Sequence, residues 1–424
     1  MDFLNEVTSR YPEAVSFAPG RPHEQFFEGV DPGRLIRRYQ DHLRATGATP
    51  REAQRRVLQY GAAAGIINDL LARALGREQG LEVIGEDLVV TVGAQEGIFL
   101  SLLVLSGPER GPVLVTDPCY VGASGAARLL GLDLVAVAAH EGASAPRADA
   151  LREVVAGLRR DGRPPRVLYT IPDFANPGGY TMTVGERREL IAAAGELGLL
   201  IIEDSPYVFT APRDERVPTL KALDDPADPR VIHIGTFAKT GLPGARVGYV
   251  VADQRVTGPA GESTLAAQIA TAKSMVTLNT SPIGQAVVGG LLLELEEQDR
   301  LPGEDRGAFY RASLAHLLSA LDAQLGQHPR LRDRVRWNRP DGGFFVVVTC
   351  DFPVPEELLE VSGRDFGVLW TPMSHFSLDD DPTVRRRLRL ACSYLSEQQI
   401  DIGVERLARF LAWAAAGAQG TADV

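Results

Sequence analysis

The sequence has 424 residues, of which 45% are hydrophobic and 23% are charged, values that are ordinary for a globular protein. A chain of this length exceeds what one hydrophobic core usually serves, so we expect two domains or a large domain with a smaller one. The formal net charge of −11 argues against nucleic-acid binding, which requires a basic face.

The three cysteines, Cys119, Cys350 and Cys392, form no Cys-x-x-Cys pair, so neither a disulfide framework nor a metal site is predicted. The N-terminal stretch MDFLNEVTSRYPEAVSF lacks the apolar core of a signal peptide. No run of about 18 apolar residues predicts a membrane span. We therefore expect a protein of the reducing cytoplasm, without a membrane partner.

Apolar, strand-like runs alternate with helical patterns through the first two thirds of the chain. The strand-like runs are DLVVTVG (87–93), GPVLVTDPCY (111–120), RVLYTIPDFANPGG (166–179), LGLLIIEDSPY (197–207) and RVIHIGTFAKTG (230–241). Helical spacing is found in QEGIFLSLLVLS (95–106) and GERRELIAAAGELG (185–198). Continuous apolar strands separated by helices predict an α/β fold with a mostly parallel sheet that is buried on both faces.

The pattern changes after about residue 290. A long charged helical pattern over 289–325 is followed by two strand patterns, WNRPDGGFFVVVTC (337–350) and RRRLRLACSY (385–394). An amphipathic helix is predicted over 396–415, and we expect the tail from residue 417 to be frayed. These elements indicate a smaller α+β domain.

We therefore divide the chain into three parts. An N-terminal segment, 1–50, is expected to pack on the small domain and the active site. The large domain is expected to cover 51–295 and the small C-terminal domain 296–424, with the acidic helix near 290–300 as their connection.

Polar and small residues collect at the carboxyl ends of the predicted strands, where ligands bind in open α/β sheets. They include Gly93, Ala94, Gln95, Tyr120, Asn176, Asp204, Tyr207, Thr236, Lys239 and Arg246. A desolvated lysine is suited to Schiff-base formation, and an arginine in a Pro-Gly turn is suited to phosphate. Helix-opening N–H groups also suit phosphate, and a carboxylate can hold a pyridine nitrogen protonated. Because no dinucleotide or P-loop motif opens a helix, these groups predict pyridoxal 5′-phosphate (PLP) instead of NAD or ATP.

Each of these residues, taken alone, also has a structural interpretation. Lys239 would be a surface lysine, Asp204 a helix N-cap and Asn176 part of an ordinary turn. Arg389 follows three other arginines and would belong to a solvated basic face. The functional interpretation depends on the residues occurring together.

Four segments resemble, in the correct order, motifs of the class I/II aminotransferases, which are fold type I PLP enzymes. They are PDFANPGGYTM, IIEDSPY, TFAKTGLPGARVGYV and RLRLACSYLSEQQIDIGVERLA. The resemblance runs from roughly residue 14 to residue 415. It implies an aspartate aminotransferase-like fold, with a large PLP-binding domain and a small α+β domain.

The resemblance also implies roles at the cofactor ring. Lys239 is expected to form the Schiff base with the cofactor and then to move the α-proton of the substrate. Asp204 is expected to pair with the pyridine nitrogen, whereas Asn176 and Tyr207 face the ring hydroxyl. Tyr120 is expected to stack on the ring. The catalytic residues predicted on this basis are Lys239, Asp204 and Tyr207.

Further roles concern the phosphate and the substrate. The residues expected to hold the phosphate are Gly93, Ala94, Gln95, Thr236, Arg246 and, from a neighbouring subunit, Tyr60. Arg389 is expected to bind the substrate carboxylate, and Arg21 and His375 to line the substrate pocket. A homodimer with shared active sites follows from the expected role of Tyr60.

Two departures from the family pattern stand out. Ala238 occupies a position that is often serine, which removes one hydroxyl from the predicted phosphate site. The segment after Tyr60 reads GIINDLL where the family usually has a Leu-Arg pair. We expect both changes to tune cofactor binding without removing it.

A narrower resemblance involves MDFLNEVTSRYPEAVSFAPGRPHEQFF, FAKTGLPGARVGYVVADQRV, KSMVTLNTSPIGQAVVGG and GVLWTPMSHF. These segments look like the dihydroxyphenylglycine aminotransferase group of actinobacterial secondary metabolism. The predicted function is PLP-dependent amino transfer between an amino acid, including aryl or non-proteinogenic ones, and a 2-keto acid.

Two alternative functions stay open at this point. One is a PLP enzyme for β/γ-elimination, replacement or C–C bond formation on a substrate like S-adenosylmethionine. The other is a transcription regulator with the same fold, for which the first 50 residues are too few and too acidic to form a DNA-binding domain.

Overall fold

The computed structural model describes residues 9–106, 111–139, 145–258, 261–379 and 381–420. In chain order its strands are β1 Val15–Ser16, β2 Leu88–Thr91, β3 Val113–Thr116, β4 Leu134–Val137, β5 Val167–Thr170, β6 Leu200–Asp204, β7 Val231–Thr236, β8 Gly248–Val251, β9 Arg255–Gly258, β10 Gly261–Thr264, β11 Val335–Trp337, β12 Phe345–Cys350, β13 Val368–Leu369, β14 Thr371–Pro372 and β15 Arg387–Ala391.

The α-helices of nine residues or more are α1 Pro32–Ala45, α2 Pro50–Leu58, α3 Asn68–Gln79, α4 Gly93–Leu105, α5 Val121–Leu129, α6 Ala148–Arg160, α7 Val184–Glu196, α8 Leu265–Val276, α9 Pro282–Glu297, α10 Glu304–Gln324 and α11 Glu397–Gly420. Three single-turn helices cover Leu220–Leu223, Phe237–Thr240 and Leu358–Val361. In the described part of the chain, no helix combines the length and the hydropathy that a membrane crossing requires.

A seven-stranded sheet has the order β2-β8-β7-β6-β5-β3-β4. Strand β8 runs antiparallel to both of its neighbours, and the other strand pairs are parallel. The prediction of a mostly parallel sheet in an α/β fold is therefore confirmed. Because β6 and β7 are parallel neighbours, Asp204, which ends β6, and Lys239, which follows β7, lie at the same edge of the sheet.

Strand β3 shows why these strands have continuous apolar sequences. Val113 and Val115 pack in a cluster with the apolar residues of α4 and α5, whereas Leu114 packs on the other face with residues of α6 and α7. Successive side chains of a strand point to opposite faces, and both faces of this sheet are covered by helices. The sequences of these strands therefore do not alternate between apolar and polar residues.

A second, four-stranded antiparallel sheet has the order β11-β12-β15-β14 and packs against α10 and α11. This confirms the smaller α+β unit. Strand β1 pairs in parallel with β13, and the N–H of Ala391 donates to the carbonyl oxygen of Phe17 at 2.8 Å. The chain just after β1 therefore lies beside β15, which carries Arg389.

Helix α1 packs differently from the rest of the N-terminal segment. Tyr39 and Leu43 belong to a cluster that includes Ala286 and Leu293 of α9, next to the large sheet. The segment 1–50 was expected on the small domain and the active site, so its second half departs from that expectation. Residues 1–8 lie outside the described residues, and the domain limits at residues 50 and 295 stay a prediction.

The charged helical pattern over 289–325 covers two helices, the C-terminal part of α9 and all of α10. Residues 298–303 separate them: Asp299, with φ +50°, follows the end of α9, and Gly303, with φ +75°, is the N-cap of α10. The expected fraying from residue 417 is wrong as far as Gly420, where α11 ends. Residues 421–424 lie outside the described residues.

Candidate active site

Lys239 lies on the single-turn helix Phe237–Thr240, directly after β7. Thr236 caps this turn, because its hydroxyl oxygen accepts a hydrogen bond from the N–H of Ala238 at 3.1 Å. The Lys239 ammonium donates to the carbonyl oxygen of Gly20 at 2.5 Å. The lysine therefore meets the N-terminal segment across the edge of the sheet.

The chain contains three lysines, and two of them are engaged in ion pairs. Lys221 pairs with Asp224 and Asp253, and Lys273 pairs with Glu96. Lys239 has no carboxylate within ion-pair distance in the described ranges. Burial, together with the cationic Arg389 and Arg246, lowers the pKa of Lys239 to about 8. This shift increases the neutral, nucleophilic fraction of the amine near neutral pH relative to an exposed lysine.

Asp204 ends β6 and is 3% exposed. Its Oδ2 accepts a hydrogen bond from the Tyr169 hydroxyl at 2.8 Å, and its Oδ1 is buried without a partner among the described residues. Burial raises the pKa of Asp204 to about 6 although the hydrogen bond from Tyr169 opposes this shift. A buried carboxylate with one open oxygen is prepared to accept a hydrogen bond from a cationic N–H donor.

Arg389, on β15, is 6% exposed and makes three hydrogen bonds to neutral acceptors. It donates to Asn176 Oδ1 and to the carbonyl oxygen of Ala18, both at 2.7 Å, and to the Thr371 hydroxyl at 3.1 Å. No carboxylate pairs with it within the described ranges. Burial lowers the pKa of Arg389 to about 10. A buried cation with only neutral partners is a strong site for an added carboxylate.

Aromatic rings enclose the space between these groups. The Arg389 guanidinium lies 4.3 Å from the centroid of the Phe345 ring and 4.9 Å from that of Phe376. Tyr207 packs edge-on against Phe345, with centroids 5.7 Å apart. Burial raises the pKa of Tyr207, and it raises that of Tyr120 to about 12, with the charge of nearby Asp204 contributing to both shifts. Both predicted ring contacts therefore lie close to the Asp204 carboxylate.

The predicted phosphate residues Gly93 and Arg246 also come together. Gly93 opens α4 with φ +70°, and a Cβ built on it would lie 2.6 Å from Nη2 of Arg246. The guanidinium therefore lies against the N-terminus of α4, where helix N–H groups are open. This arrangement attracts a dianion. Gln95 uses its side chain elsewhere, because its Nε2 donates to the carbonyl oxygen of Gly122 at 2.7 Å.

The other three predicted site residues are Tyr60, Arg21 and His375, and of these His375 is near enough to Arg389 for that charge to add to the lowering of its pKa by burial. Tyr60 is 78% exposed. The Arg21 guanidinium stacks on the ring of Tyr394 at 3.7 Å, beside a surface groove. His375 Nε2 lies 3.5 Å from a carboxylate oxygen of Glu356, and burial lowers the pKa of His375. Within the described chain, neither Arg21 nor His375 makes a hydrogen bond to Lys239 or Arg389.

Sequence reasoning missed several partners of the site. Tyr169 is the residue before the last one of β5. The signal that could have found it is a tyrosine near the end of a strand adjacent to the strand that carries Asp204. The carbonyl groups of Ala18 and Gly20 carry no signal in the sequence, because any residue has a carbonyl oxygen. Phe376, on the 3-10 turn Met373–Phe376 that precedes β15, lies on the Arg389 guanidinium.

Comparison with known proteins identifies close relatives. Residues 38–407 match the family model of aminotransferase class I and II. The chain is 42% identical over 415 residues to an (S)-3,5-dihydroxyphenylglycine transaminase from Amycolatopsis orientalis, covering 97% of this chain and 91% of the relative.

Two solved structures have the same fold. One is a multiple substrate aminotransferase from Thermococcus profundus, with a TM-score of 0.80, 26% identity, and coverage of 98% of this chain and 95% of that chain. The other is an alpha-aminoadipate aminotransferase from Thermus thermophilus in complex with N-(5'-phosphopyridoxyl)-L-leucine. It has a TM-score of 0.77 and 30% identity, and the match covers 97% of this chain and 95% of that chain.

Proposed function

Because the chain belongs to the aminotransferase class I and II family, we propose that Lys239, Asp204 and Arg389 form its active site for PLP-dependent amino transfer. The observation that carries this assignment is that two groups occur in one site. Lys239 has a lowered pKa, and Arg389 is a buried cation; neither has a carboxylate partner in the described ranges. The first is suited to a cofactor aldehyde and the second to an amino acid carboxylate.

The residues present fit PLP by three independent features. The open Oδ1 of Asp204 is an acceptor for a protonated ring nitrogen. Arg246 at the N-terminus of α4 is a receptor for a phosphate dianion, and glycine at position 93 leaves the guanidinium room. The neutral fraction of Lys239 supplies the nucleophile. Asn176 and Tyr207 are placed in this proposal at the ring hydroxyl, with Tyr120 on the ring face and Ala94, Gln95 and Thr236 near the phosphate.

The cofactor, when bound, supplies the electron sink that stabilises negative charge at the substrate α-carbon. Arg389 binds the substrate carboxylate and fixes which bond of the α-carbon faces Lys239. The Nζ of Lys239 would take the proton from the substrate α-carbon and would return it to a carbon of the cofactor. Asp204, held by Tyr169, keeps a positive charge on the ring nitrogen and so strengthens the electron sink.

We propose amino acids with aryl side chains as the donor class. The support is the aromatic lining, since the rings of Phe345 and Phe376 flank Arg389 and the ring of Phe344 lies 5.8 Å from the Lys239 ammonium. Offset and edge contacts between such rings and an aryl substrate favour binding. The relative from Amycolatopsis orientalis, named for an arylglycine, supports the same class and a place in secondary metabolism. Arg21 and His375 are proposed at the outer part of this pocket.

The experiment that tests the proposed function is a single turnover without a keto acid acceptor. Holoenzyme is mixed with an excess of an arylglycine or another aryl amino acid, and the cofactor is then released and identified by mass. We expect one equivalent of pyridoxamine phosphate per active site and one equivalent of 2-keto acid. Recovery of unchanged PLP with a new product would instead identify elimination, replacement or C–C bond formation, and would refute amino transfer.

Replacing Arg389 with glutamine is expected to raise KM for the amino acid roughly 10- to 100-fold, because a charge-assisted contact to the substrate carboxylate is lost. Steady-state kinetics with saturating keto acid measure the change. Arg386→Gln is the matched control, since Arg386 is exposed and lies three residues earlier. An unchanged KM in Arg389→Gln would remove Arg389 from carboxylate binding.

We also propose a homodimer in which Tyr60 completes the site of the partner subunit. Tyr60 lies on the surface with Leu58, 67% exposed, and the backbone that follows it at Gly61 adjoins Asn279 and Pro282. Met275, Leu278 and Ile283, which are close to Asn279 and Pro282 in the sequence, are also exposed. Exposed apolar residues next to one another are typical of protein interfaces.

Complementation tests the shared site. Lys239→Ala and Tyr60→Ala are each expected to have little activity, but a heterodimer contains one site with both native residues. After exchange of an equimolar mixture, about a quarter of wild-type activity is expected from random pairing. The control mixture is Lys239→Ala with Arg246→Gln, which has no intact site in any pairing. Failure of the first mixture to recover activity despite exchange, or recovery in the control, would contradict a shared site.

We place the enzyme in the cytoplasm. The support is that Cys119, Cys350 and Cys392 are all buried free thiols, which a reducing compartment preserves. Its proposed partners are small molecules, namely the amino acid and keto acid substrates, besides the second copy of the chain.

A further inference from the structure

Arg306, on α10, is a buried cation for which the proposed mechanism has no role. It is 8% exposed, and it has no ion-pair partner in the described part of the chain. The neighbouring Asp305 pairs instead with Arg300, at 3.3 Å. Nη1 of Arg306 donates to the carbonyl oxygen of Gly241 at 2.9 Å and to that of Lys239 at 3.3 Å. A buried guanidinium is thus committed to two backbone oxygens.

These two oxygens belong to the turn that carries Lys239. A helix of one turn, Phe237–Thr240, satisfies few of its own carbonyl groups, so its C-terminal oxygens need outside donors. Arg306 supplies them. Because the Lys239 side chain projects from the same turn, the guanidinium fixes the backbone position from which the amine reaches into the site.

The same guanidinium also contacts the N-terminal segment. It lies 5.0 Å from the centroid of the Phe26 ring. Phe26 packs edge-on against Phe309 and tilted against Tyr310, at 5.3 and 5.6 Å, and the Tyr310 hydroxyl oxygen accepts from the N–H of His23 at 3.3 Å. Helix α10 therefore contacts the segment 20–26, and at Gly20 the carbonyl oxygen of this segment accepts a hydrogen bond from the Lys239 ammonium.

We propose that Arg306 is a positioning residue for Lys239, fixing the turn 237–241 and, through Phe26, the segment that covers the amine. The inference rests on the proposed function, in which Lys239 carries the cofactor. It adds Arg306, a residue of the smaller α+β unit, to the residues that fix the position of Lys239.

The test compares Arg306→Met, Arg306→Lys and the control Arg311→Met as holoenzymes. Arg311 lies on the same helix and donates to the carbonyl oxygen of Thr210 at 2.7 Å, outside the turn 237–241 that carries Lys239. The readouts are the pH midpoint of the absorbance of the bound cofactor, kcat, KM and melting temperature. For Arg306→Met we expect a midpoint shift of about half a pH unit or more. We expect kcat to fall roughly 10- to 100-fold from misplacement of the amine, with KM changed less than about threefold.

Arg306→Lys is expected to recover part of the loss, because an ammonium can reach one of the two carbonyl groups. Arg311→Met is expected to keep the wild-type midpoint and kcat even if its melting temperature falls. Wild-type midpoint and kcat in both Arg306 variants would overturn the proposal and leave Arg306 a structural residue. If Arg306→Met does not fold, Arg306→Lys decides by the same midpoint and kcat.

Phe26→Leu tests the contact with the N-terminal segment. It is expected to lower kcat in the wild-type background and to add little to Arg306→Met, because the two residues act through one contact. Equal losses in both backgrounds would remove Phe26 from the proposal. Failure of the proposed function is distinguishable, since wild-type protein would then show no pH-dependent absorbance from a lysine-bound cofactor.

Discussion

Lys239→Ala is expected to lower turnover by at least about 10⁴-fold, because one side chain supplies both the covalent link to the cofactor and the proton transfer. The variant is expected to fold, since the Lys239 side chain makes a single hydrogen bond to Gly20 and no ion pair among the described residues. Arg246 and Asp204 stay in place, so PLP is expected to bind weakly and without a covalent bond. Coupled-assay kinetics and equilibrium dialysis measure the two effects.

Circular dichroism of Lys239→Ala serves as the control for folding. Lys239→Arg adds a second comparison, because it keeps a positive charge but not a nucleophile of accessible pKa. Turnover near the wild-type value in either variant would show that another group performs the chemistry.

Asp204→Asn is expected to lower kcat by about 10²- to 10⁴-fold, because a neutral amide does not hold a proton on the ring nitrogen. The amide oxygen still accepts the hydrogen bond from Tyr169, so the local packing is kept. Steady-state kinetics at saturating substrate provide the measurement, and a kcat within about tenfold of wild type would count against this role.

The stability of the cofactor-free protein gives Asp204→Asn a second, opposite signature. Burial raises the pKa of Asp204 from 3.8 to about 6, so the folded state binds more protons than the unfolded state between these values. The ionised carboxylate therefore costs stability above pH 6, and this cost fades as the pH falls toward 4. Apo Asp204→Asn is expected to melt at or above the wild-type temperature at pH 8, with the difference shrinking at low pH.

The sequence predicted the parallel sheet well, because strands covered on both faces need continuous apolar runs such as those around Val113 and Ile201. Strand-end polar residues followed from the same logic, since parallel strands deliver their carboxyl ends to one edge. Asp204 and Lys239 could thus be placed near one another, whereas Arg389, on the antiparallel sheet, was placed with them by the family resemblance of its motif. The pKa shifts of these residues could not be predicted, because they depend on burial and on the absence of carboxylates around Lys239 and Arg389.

Other features depend on contacts between distant parts of the chain. The break between α9 and α10 could not be located, because the charged periodic pattern continues across residues 298–303. The carbonyl contacts of Gly20 and Ala18, and the donation from Arg306, are backbone interactions that leave no mark in residue type. Helix α1 packs on α9 through Tyr39 and Leu43, and its pattern alone does not name that partner.

The three lysines allow a direct test of which one carries the cofactor. Holoenzyme is reduced with borohydride, which fixes a carbon–nitrogen double bond between lysine and cofactor as a stable amine, and the digested protein is mapped by mass spectrometry. One phosphopyridoxyl group per chain on Lys239, and none on the ion-paired Lys221 or Lys273, is the result we predict. Labelling of Lys221 or Lys273, or a chain that carries no group after reduction, would contradict the assignment of the active site.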